Sequence, residues 1–532
     1  MKWCHWWLFV FIFLITACSN LKKVGSEKNR HFRASWVASV INLDWPSKTS
    51  TEIFSEQERI LVQKKELIQI LDQAVKMRMN AIILQVKPEA DALYASDILP
   101  WSSYLTGTLG KNPGYDPLAF AVQEAHKRNL ELHAWINPYR VSMNTAKNTI
   151  DQLNRLLPDR KKSVYKSHPE WIRIAYDRFV LDPGIPEVRD WIKNIIKEIV
   201  IRYDIDAIHL DDYFYYETPT SKLNDHETYL QYFNNFNNKA DWRRKNTYLL
   251  IKSLSEEIHR LKPQVKFGIS PTGVWRNKKQ DPLGSETGVL STHYDQNFSD
   301  TVLWVKEKLI DYIVPQVYWS FDRKVARYDV IASWWAYLLE NKNTHLYIGN
   351  AFYKAGVPSE LEPSWAENGG ALEIERQLHF NENTSGIKGS ILFRHLSLND
   401  PLKKNAANMI KNPLWSMPVL IPSMPWKGSS VPPESPIKIK KIITSKGIEL
   451  TWKAGDKPGD KSHQNLTLYY AIYKRSKNTW GLLSHYQLLK TVRKTGLYET
   501  WLDPSPFSHK SDVYIISALN RNHNESLGRI FD

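Results

Sequence analysis

Two adjacent aspartates, Asp211 and Asp212, close the run Ala207-Ile208-His209-Leu210, an alternating segment of the length of a short buried strand. A carboxylate at the end of such a strand is costly to desolvate unless it is hydrogen-bonded or put to use, and two neighbours can hold different proton affinities through like-charge repulsion. Cleavage of a glycosidic bond uses this chemistry. It needs one carboxylic acid to protonate the leaving oxygen and one carboxylate as nucleophile or as base for water, about 5–5.5 Å apart for retention and about 6.5–9.5 Å for inversion. Adjacent side chains on a strand point to opposite sides. The partner of the reacting aspartate is therefore expected from another strand, and Glu89, Asp91 and Asp322 are candidates by position. The competing reading has one aspartate capping a loop or pairing with Arg140 or Arg394.

The second set of candidates is aromatic. The chain has 21 Trp, 26 Tyr and 18 Phe, and flat rings with polar edges suit sugar faces as well as protein cores. Trp36, Trp101, Tyr139, Tyr213, Tyr215, Tyr318 and Trp319 fall at or after strand ends, with Tyr213 and Trp319 the favoured stacking rings. His133 and His209 could bind substrate hydroxyls or orient a carboxylate, against the alternative of satisfied core histidines. Asn137 and Arg394 are candidate hydroxyl or carboxylate binders, and Asp91, if not an acid, a further polar contact.

These residues need a frame that brings them together. Eight short β-branched or aromatic runs, at 32–40, 81–88, 131–138, 207–214, 266–273, 312–319, 345–352 and 390–397, alternate with helical stretches at 64–78, 117–129, 186–203 and 246–262. Eight such units predict an α/β fold, a (β/α)8 barrel, with function at the carboxyl ends of its strands. An open doubly wound sheet is the alternative, lowered by the lack of a Gly-rich phosphate loop. Parity places Ile82, Leu84, Val86, Leu132, Ala134, Ile136, Ile208 and Leu210 toward the helices. Gln85, Lys87, Glu89, His133, Trp135, Asn137, His209, Asp211, Gln316 and Tyr318 are left for the axis or rim.

Around the barrel, residues 1–18 read as an export signal whose apolar run, Trp6 to Ile15, is shorter than the roughly 20 residues a spanning helix needs. Ile15-Thr16-Ala17-Cys18 resembles the lipobox of bacterial lipoproteins, so Cys18 is the expected acylation site and membrane anchor. With Cys4 removed and Cys18 acylated, no thiol remains for a disulfide, a zinc site or a nucleophile. Residues 19–31 read as a tether, 32–410 as the barrel and 411–436 as a proline-rich linker. Residues 437–532 show alternating strands that resemble a fibronectin type III sandwich, with no catalytic constellation. The net charge of +15 favours an anionic partner or surface. No nucleic-acid motif, cofactor motif or metal set is apparent, and the absence of His-x-x-x-His weighs against a metal-dependent polysaccharide deacetylase.

Seven segments together are similar to the bacterial glycosyl-hydrolase-like 10 family. They are RASWVASVINLDWPS (33–47), QVKPEADALYASDILPWSSYLTG (85–107), HAWINPYR (133–140), LDPGIPEVRDWI (181–192), IHLDDYFY (208–215), GISPTGVWRN (268–277) and the run from Tyr294 to Trp319. The resemblance covers most of 32–400, with Lys87 and Ala90 where the family often carries Arg and Gly. It implies a carbohydrate-active barrel centred on Asp211-Asp212, in a group that includes lipoproteins cleaving peptidoglycan glycan strands. The expectation is a periplasm-facing envelope lipoprotein that hydrolyses a polysaccharide, such as peptide-free peptidoglycan strands. Its alternative is a non-catalytic glycan-binding lipoprotein.

Overall fold

The structure is a computed structural model that describes residues 21–22, 30–216, 221–233, 236–427, 430–456, 465–475, 486–503 and 512–531. The expected signal and Cys18 lie outside the described residues. The chain divides into a unit of Phe32–Ser416 and a second made of Met417–Asp532 with Met1–His31.

The first unit is a closed parallel barrel. Its strands are β1 (Phe32–Val37), β2 (Ala81–Lys87), β3 (Glu131–Ile136), β4 (Ala207–Leu210), β5 (Lys266–Ile269), β6 in two pieces (Tyr312–Ile313 and Gln316–Val317), β7 (His345–Asn350) and β8 (Ile387–Leu392). Each pairs in parallel with the next, and β8 returns to β1 with Gly389 opposite Phe32 and Leu392 opposite Ser35. The expected run 312–319 is thus not one strand. Pro315 has no N–H to give to the ladder, so the first piece pairs with β5 and β7, and pairing with β7 resumes only at Gln316.

The helices begin where their caps dictate. Helix α1 (Glu56–Lys76) starts earlier than its apolar period suggests, because Ser55 accepts the N–H of Glu58. Asp116 caps α2 (Pro117–Lys127) through the N–H of Ala119, and Pro186 opens α3 (Pro186–Arg202) at a position that has no intrahelical N–H bond to lose. Asn238 caps α4 (Lys239–Leu261), again ahead of the period. Shorter helices, α5 (Thr301–Lys306), α6 (Tyr328–Leu338), α7 (Ala371–Asn383) and α8 (Lys404–Met409), complete the ring.

The parity reading holds. Ile82, Leu84, Val86, Leu132, Ile136, Ile208 and Leu210 join the apolar core between strands and helices, each contributing about 1.5–3 kcal/mol by its burial. The opposite parity fills the lumen with rings: Phe32 on Tyr347 at 4.3 Å, His133 on Tyr312 at 5.4 Å, and His209 on Tyr312 at 5.9 Å. Gly268 makes the room, since a Cβ there would lie 2.0 Å from the Tyr312 ring.

The second unit is antiparallel. Strands β9 (Ile437–Thr444), β10 (Gly447–Lys453) and β13 (Tyr498–Asp503) form one sheet. Strands β12 (Gln487–Arg493), β11 (Tyr469–Arg475), β14 (Val513–Leu519) and β15 (Gly528–Phe531) form the other, in that order. Trp452 and Tyr470 meet edge to face at 5.3 Å in the core they share. This all-β arrangement is compatible with the expected sandwich. Within the stretch read as a tether, Leu21–Lys22 pair with β15, and Arg30 is buried against Glu525 at 2.6 Å. Among the described residues, no helix is long and apolar enough to cross a membrane.

Candidate functional site

Asp211 follows the last residue of β4 and is held across the barrel mouth by a chain of side chains from neighbouring strand ends. Asn137, just past β3, donates from Nδ2 to Asp211 Oδ2 at 2.8 Å. Gln85 in β2 donates from Nε2 to Asn137 Oδ1 at 2.6 Å. The Gln85 Oε1 accepts the backbone N–H groups of Ser39 and Val40, past β1, both at 2.9 Å. Asp211 Oδ1 takes a second donor, the N–H of Asp212, at 2.9 Å. Each of the two Asp211 carboxyl oxygens thus accepts an N–H group.

Asp212 is the opposite case. Burial, then the charge of Asp211 and the hydrogen bond with it, push its carboxyl well above the usual range. Its Oδ1 is buried without a hydrogen-bond partner among the described residues. An unpaired buried oxygen costs about 1–3 kcal/mol, and a site that keeps one has a use for it or a deficit in stability.

The third carboxyl comes from the loop after β2. Glu89 is half-buried, accepts the Tyr104 hydroxyl at 3.1 Å and is pushed up to about 8 by burial and by the charge of Asp91. Asp91, which accepts the Glu89 N–H at 3.2 Å, is itself raised by burial to about 6. Burial lowers the Lys87 ammonium to about 7, and its Nζ donates to the carbonyls of Asn137 at 2.8 Å and Pro138 at 3.3 Å. Arg140 binds the Pro88 carbonyl at 3.2 Å and lies 5.5 Å from the Tyr213 ring. Burial opposes its charge, but Tyr216, Asp211, Tyr213 and Glu89 outweigh that and raise its pKa above the usual value. The same guanidinium lowers the pKa of Glu89 and of Asp212. One buried cation thus acts on all three acids.

The rim rings divide. Tyr213 is 37% exposed, stacked on Tyr216 at 5.1 Å, and the charge of Asp212 raises its hydroxyl pKa. Tyr318 is half-buried, stacked on Phe393 at 5.8 Å, within the field of Asp211 and Asp212, and Trp319 is half-buried beside it. Tyr139 and Tyr215 are instead fully buried in the core outside the lumen, because strand parity no longer governs residues past the strand end. Trp36 and Trp101 are also buried, and Trp36 Nε1 donates to His209 Nε2 at 3.2 Å.

The two lumen histidines lie in a closed chain beneath the mouth. His209 Nε2 accepts from Trp36, which leaves Nδ1 to donate to the Tyr312 hydroxyl at 3.1 Å; that hydroxyl can donate to His133 Nδ1 at 2.9 Å, and His133 Nε2 to Glu131 at 3.0 Å. Burial holds both histidines below their usual proton affinity. Both side chains are 0% exposed, so they brace the mouth from below and do not line it. Arg394 is bound to Asp44 at 2.8 Å, and Asp44 also accepts the N–H groups of Ala38 and Leu396 at 2.8 Å. That pair fastens the loop after β1 to the loop after β8. Asp322 accepts the N–H of Ser364 at 3.1 Å as a loop cap.

Sequence reasoning singled out neither Gln85 as a linchpin nor Tyr104 or Asp44. The one available signal was a lumen-facing polar residue in mid-strand at Gln85, since such a group needs a partner. The groove of about 850 Å³ lined by Tyr165, Arg173, Ile174 and Glu227 includes none of Glu89, Asp91, Asp211 and Asp212. Among the described residues, no group of three or more His, Cys, Asp or Glu side chains is arranged to hold a metal ion.

A closed (β/α)8 barrel with carboxyl groups gathered past β2 and β4 and tyrosines on the rim defines a barrel of the glycoside-hydrolase type. The chain belongs to the glycosyl hydrolase-like 10 family, whose profile matches residues 31–367. It is 50% identical over 386 residues to the glycosyl hydrolase DigH of Escherichia coli (strain K12), covering 73% of this chain and 88% of that one. It is 42% identical over 507 residues to the glycosyl hydrolase YngK of Bacillus subtilis (strain 168), covering 94% and 93%. Among solved structures, the PgaB (BpsB) glycoside hydrolase domain from Bordetella bronchiseptica is similar with a TM-score of 0.43 at 11% identity, over 72% of this chain and 98% of that one.

Proposed function

We propose that this chain is an envelope lipoprotein, acylated at Cys18 and facing the periplasm, that hydrolyses glycosidic bonds of an anionic glycan, the peptide-free peptidoglycan strand. The observation that carries the reading is the division of labour among three acids around Arg140. Asp211 is gripped by two N–H donors, while Asp212 and Glu89 are pushed toward their protonated forms.

In this mechanism Glu89, protonated below about pH 8, gives its proton to the leaving glycosidic oxygen as the bond to the anomeric carbon breaks. The carboxylate of Asp211 faces the positive charge that develops on the sugar and acts as nucleophile or as base for the attacking water. Water supplies the hydroxyl of the new reducing end and the proton that restores Glu89. Burial and the charge of Asp211 favour the protonated form of Asp212 beside it. Tyr213, Tyr318 and Trp319 supply ring faces for the sugar, and the net charge of +15 suits strands bearing lactyl carboxylates.

The test is release of reducing ends from denuded peptidoglycan strands by the purified chain. New reducing ends that vanish in Asp211→Asn and Glu89→Gln support hydrolysis. Strand binding without cleavage leaves the barrel a glycan receptor and sinks the enzymatic reading. The anchor has its own test: a clickable fatty acid should label the wild type in cells and not Cys18→Ala.

A further inference from the structure

The turn after β1, Val40–Asn42, holds two residues in left-handed backbone, Ile41 at φ 48°, ψ 27° and Asn42 at φ 55°. Asparagine reaches this region readily because its amide can bond nearby backbone, and Asn42 donates to the carbonyls of Pro46 at 2.8 Å and Tyr104 at 2.9 Å. A β-branched isoleucine there is an outlier whose Cβ crowds its own backbone.

Its surroundings enforce the conformation. Gln85 takes the N–H groups of the two residues before it, and Asp44, tied to Arg394, takes that of Ala38. The Ile41 N–H faces the Tyr104 hydroxyl, the same hydroxyl that bonds Glu89. The strained residue therefore lies beside the tyrosine that bonds the proposed proton donor. In return its side chain gains little packing, being 53% exposed. Strain held at the edge of a reaction centre, with an apolar side chain left open, points to a contact completed by the substrate.

We propose that Ile41 is a specificity-determining residue whose side chain packs on a methyl-bearing substituent, acetamido or lactyl, of a sugar flanking the scissile bond. The inference rests on the hydrolase reading and deepens it. The sugar whose leaving oxygen takes the Glu89 proton must lie alongside the loop after β1, and a half-exposed aliphatic side chain there rewards a methyl group more than a hydroxyl. Glycine would adopt the turn without strain but would leave that methyl in water.

The experiment compares full-length wild type, Ile41→Gly and Ile41→Val for kcat/KM on denuded peptidoglycan strands, for affinity to the same strands by co-sedimentation, and for Tm. Ile41→Gly should keep a Tm close to wild type, since relief of left-handed strain offsets the greater freedom glycine has when unfolded. It should lose about tenfold in kcat/KM, through KM, and about as much in affinity. Ile41→Val should recover most of both. Strands freed of N-acetyl groups separate the two sources: the tenfold gap closes there if the acetamido methyl is the contact and persists if the lactyl methyl is. Ile41→Gly equal to wild type in kcat/KM and affinity on both strands overturns the proposal. A wild type that binds strands yet releases no reducing ends overturns the hydrolase reading alone, and the affinity comparison then still decides the role of Ile41.

Discussion

The two ends of the barrel both hold acids out of water and treat them in opposite ways. At the amino ends of the strands, Glu131 is paired with Lys266 and with His133, Asp206 with His126 at 2.9 Å, and Asp311 with His259 at 2.9 Å. Asp206 and Asp311 also accept the N–H groups of Leu132 at 2.9 Å and Phe267 at 2.8 Å. At the carboxyl ends, Glu89, Asp91 and Asp212 are all raised by burial, Asp212 has an unpaired oxygen, and a single arginine acts on all three acids of the proposed mechanism. The floor is built to be satisfied and the mouth to remain reactive, so burial alone says little about an acid and its partners say most of it.

The comparison can be broken from either end. Removing the mouth carboxylate should have the largest effect: Asp211→Asn lowers kcat by about a thousandfold with the fold intact by circular dichroism. If the variant keeps activity, another group is the carboxylate. At the floor, Glu131→Gln leaves Lys266 buried without its counter-charge and should cost about 3–5 kcal/mol of stability in denaturant titrations, with little change in kcat for the protein that stays folded. A stable Glu131→Gln would mean that the floor pair is expendable.

Asp212→Asn sharpens the contrast. An acid raised above its unfolded value keeps a proton in the native state that the unfolded chain releases, so stability falls as pH rises through the unfolded carboxylate range toward the folded value. Asp212→Asn should therefore melt no lower than wild type at pH 7, and its relative advantage should shrink on acidification to about pH 4. A lower Tm at pH 7 would show that Asp212 is structural. A smaller effect is expected at Asn137, whose loss frees Asp211 on one side: Asn137→Ala should reduce kcat by about tenfold with KM nearly unchanged. A change confined to KM would make Asn137 a substrate ligand instead.

Eight strands, their order and the lumen parity were legible because alternation and helix period are local signals; Ile82-Leu84-Val86 against Gln85-Lys87 is readable without neighbours. The sixth strand was misjudged in length because Pro315 was read as part of an apolar run and not as a gap in the ladder. At the site, Asp211-Asp212 stood out as acids at a strand end, and Glu89 was one of three candidate partners with Asp91 and Asp322. Hidden from view was everything that closes in space: Arg394 fastening Asp44 across 350 positions, Gln85 reaching both Ser39 and Asn137, and Tyr104 on Glu89. Tyr139 and Tyr215 went to the core because no periodic rule survives past a strand end, while Tyr213 stayed at the rim.

The most direct test is the pH dependence of kcat/KM on denuded strands, which reports the free protein's acids. The reactive form of Glu89 is the protonated one, so the rate should hold up to neutrality and fall tenfold per pH unit above about 8. The charge of Asp91 raises Glu89 and the Tyr104 hydroxyl lowers it, so this limb should move to lower pH in Asp91→Asn and to higher pH in Tyr104→Phe. A profile flat through pH 9, or a limb that neither substitution moves, contradicts Glu89 as the proton donor.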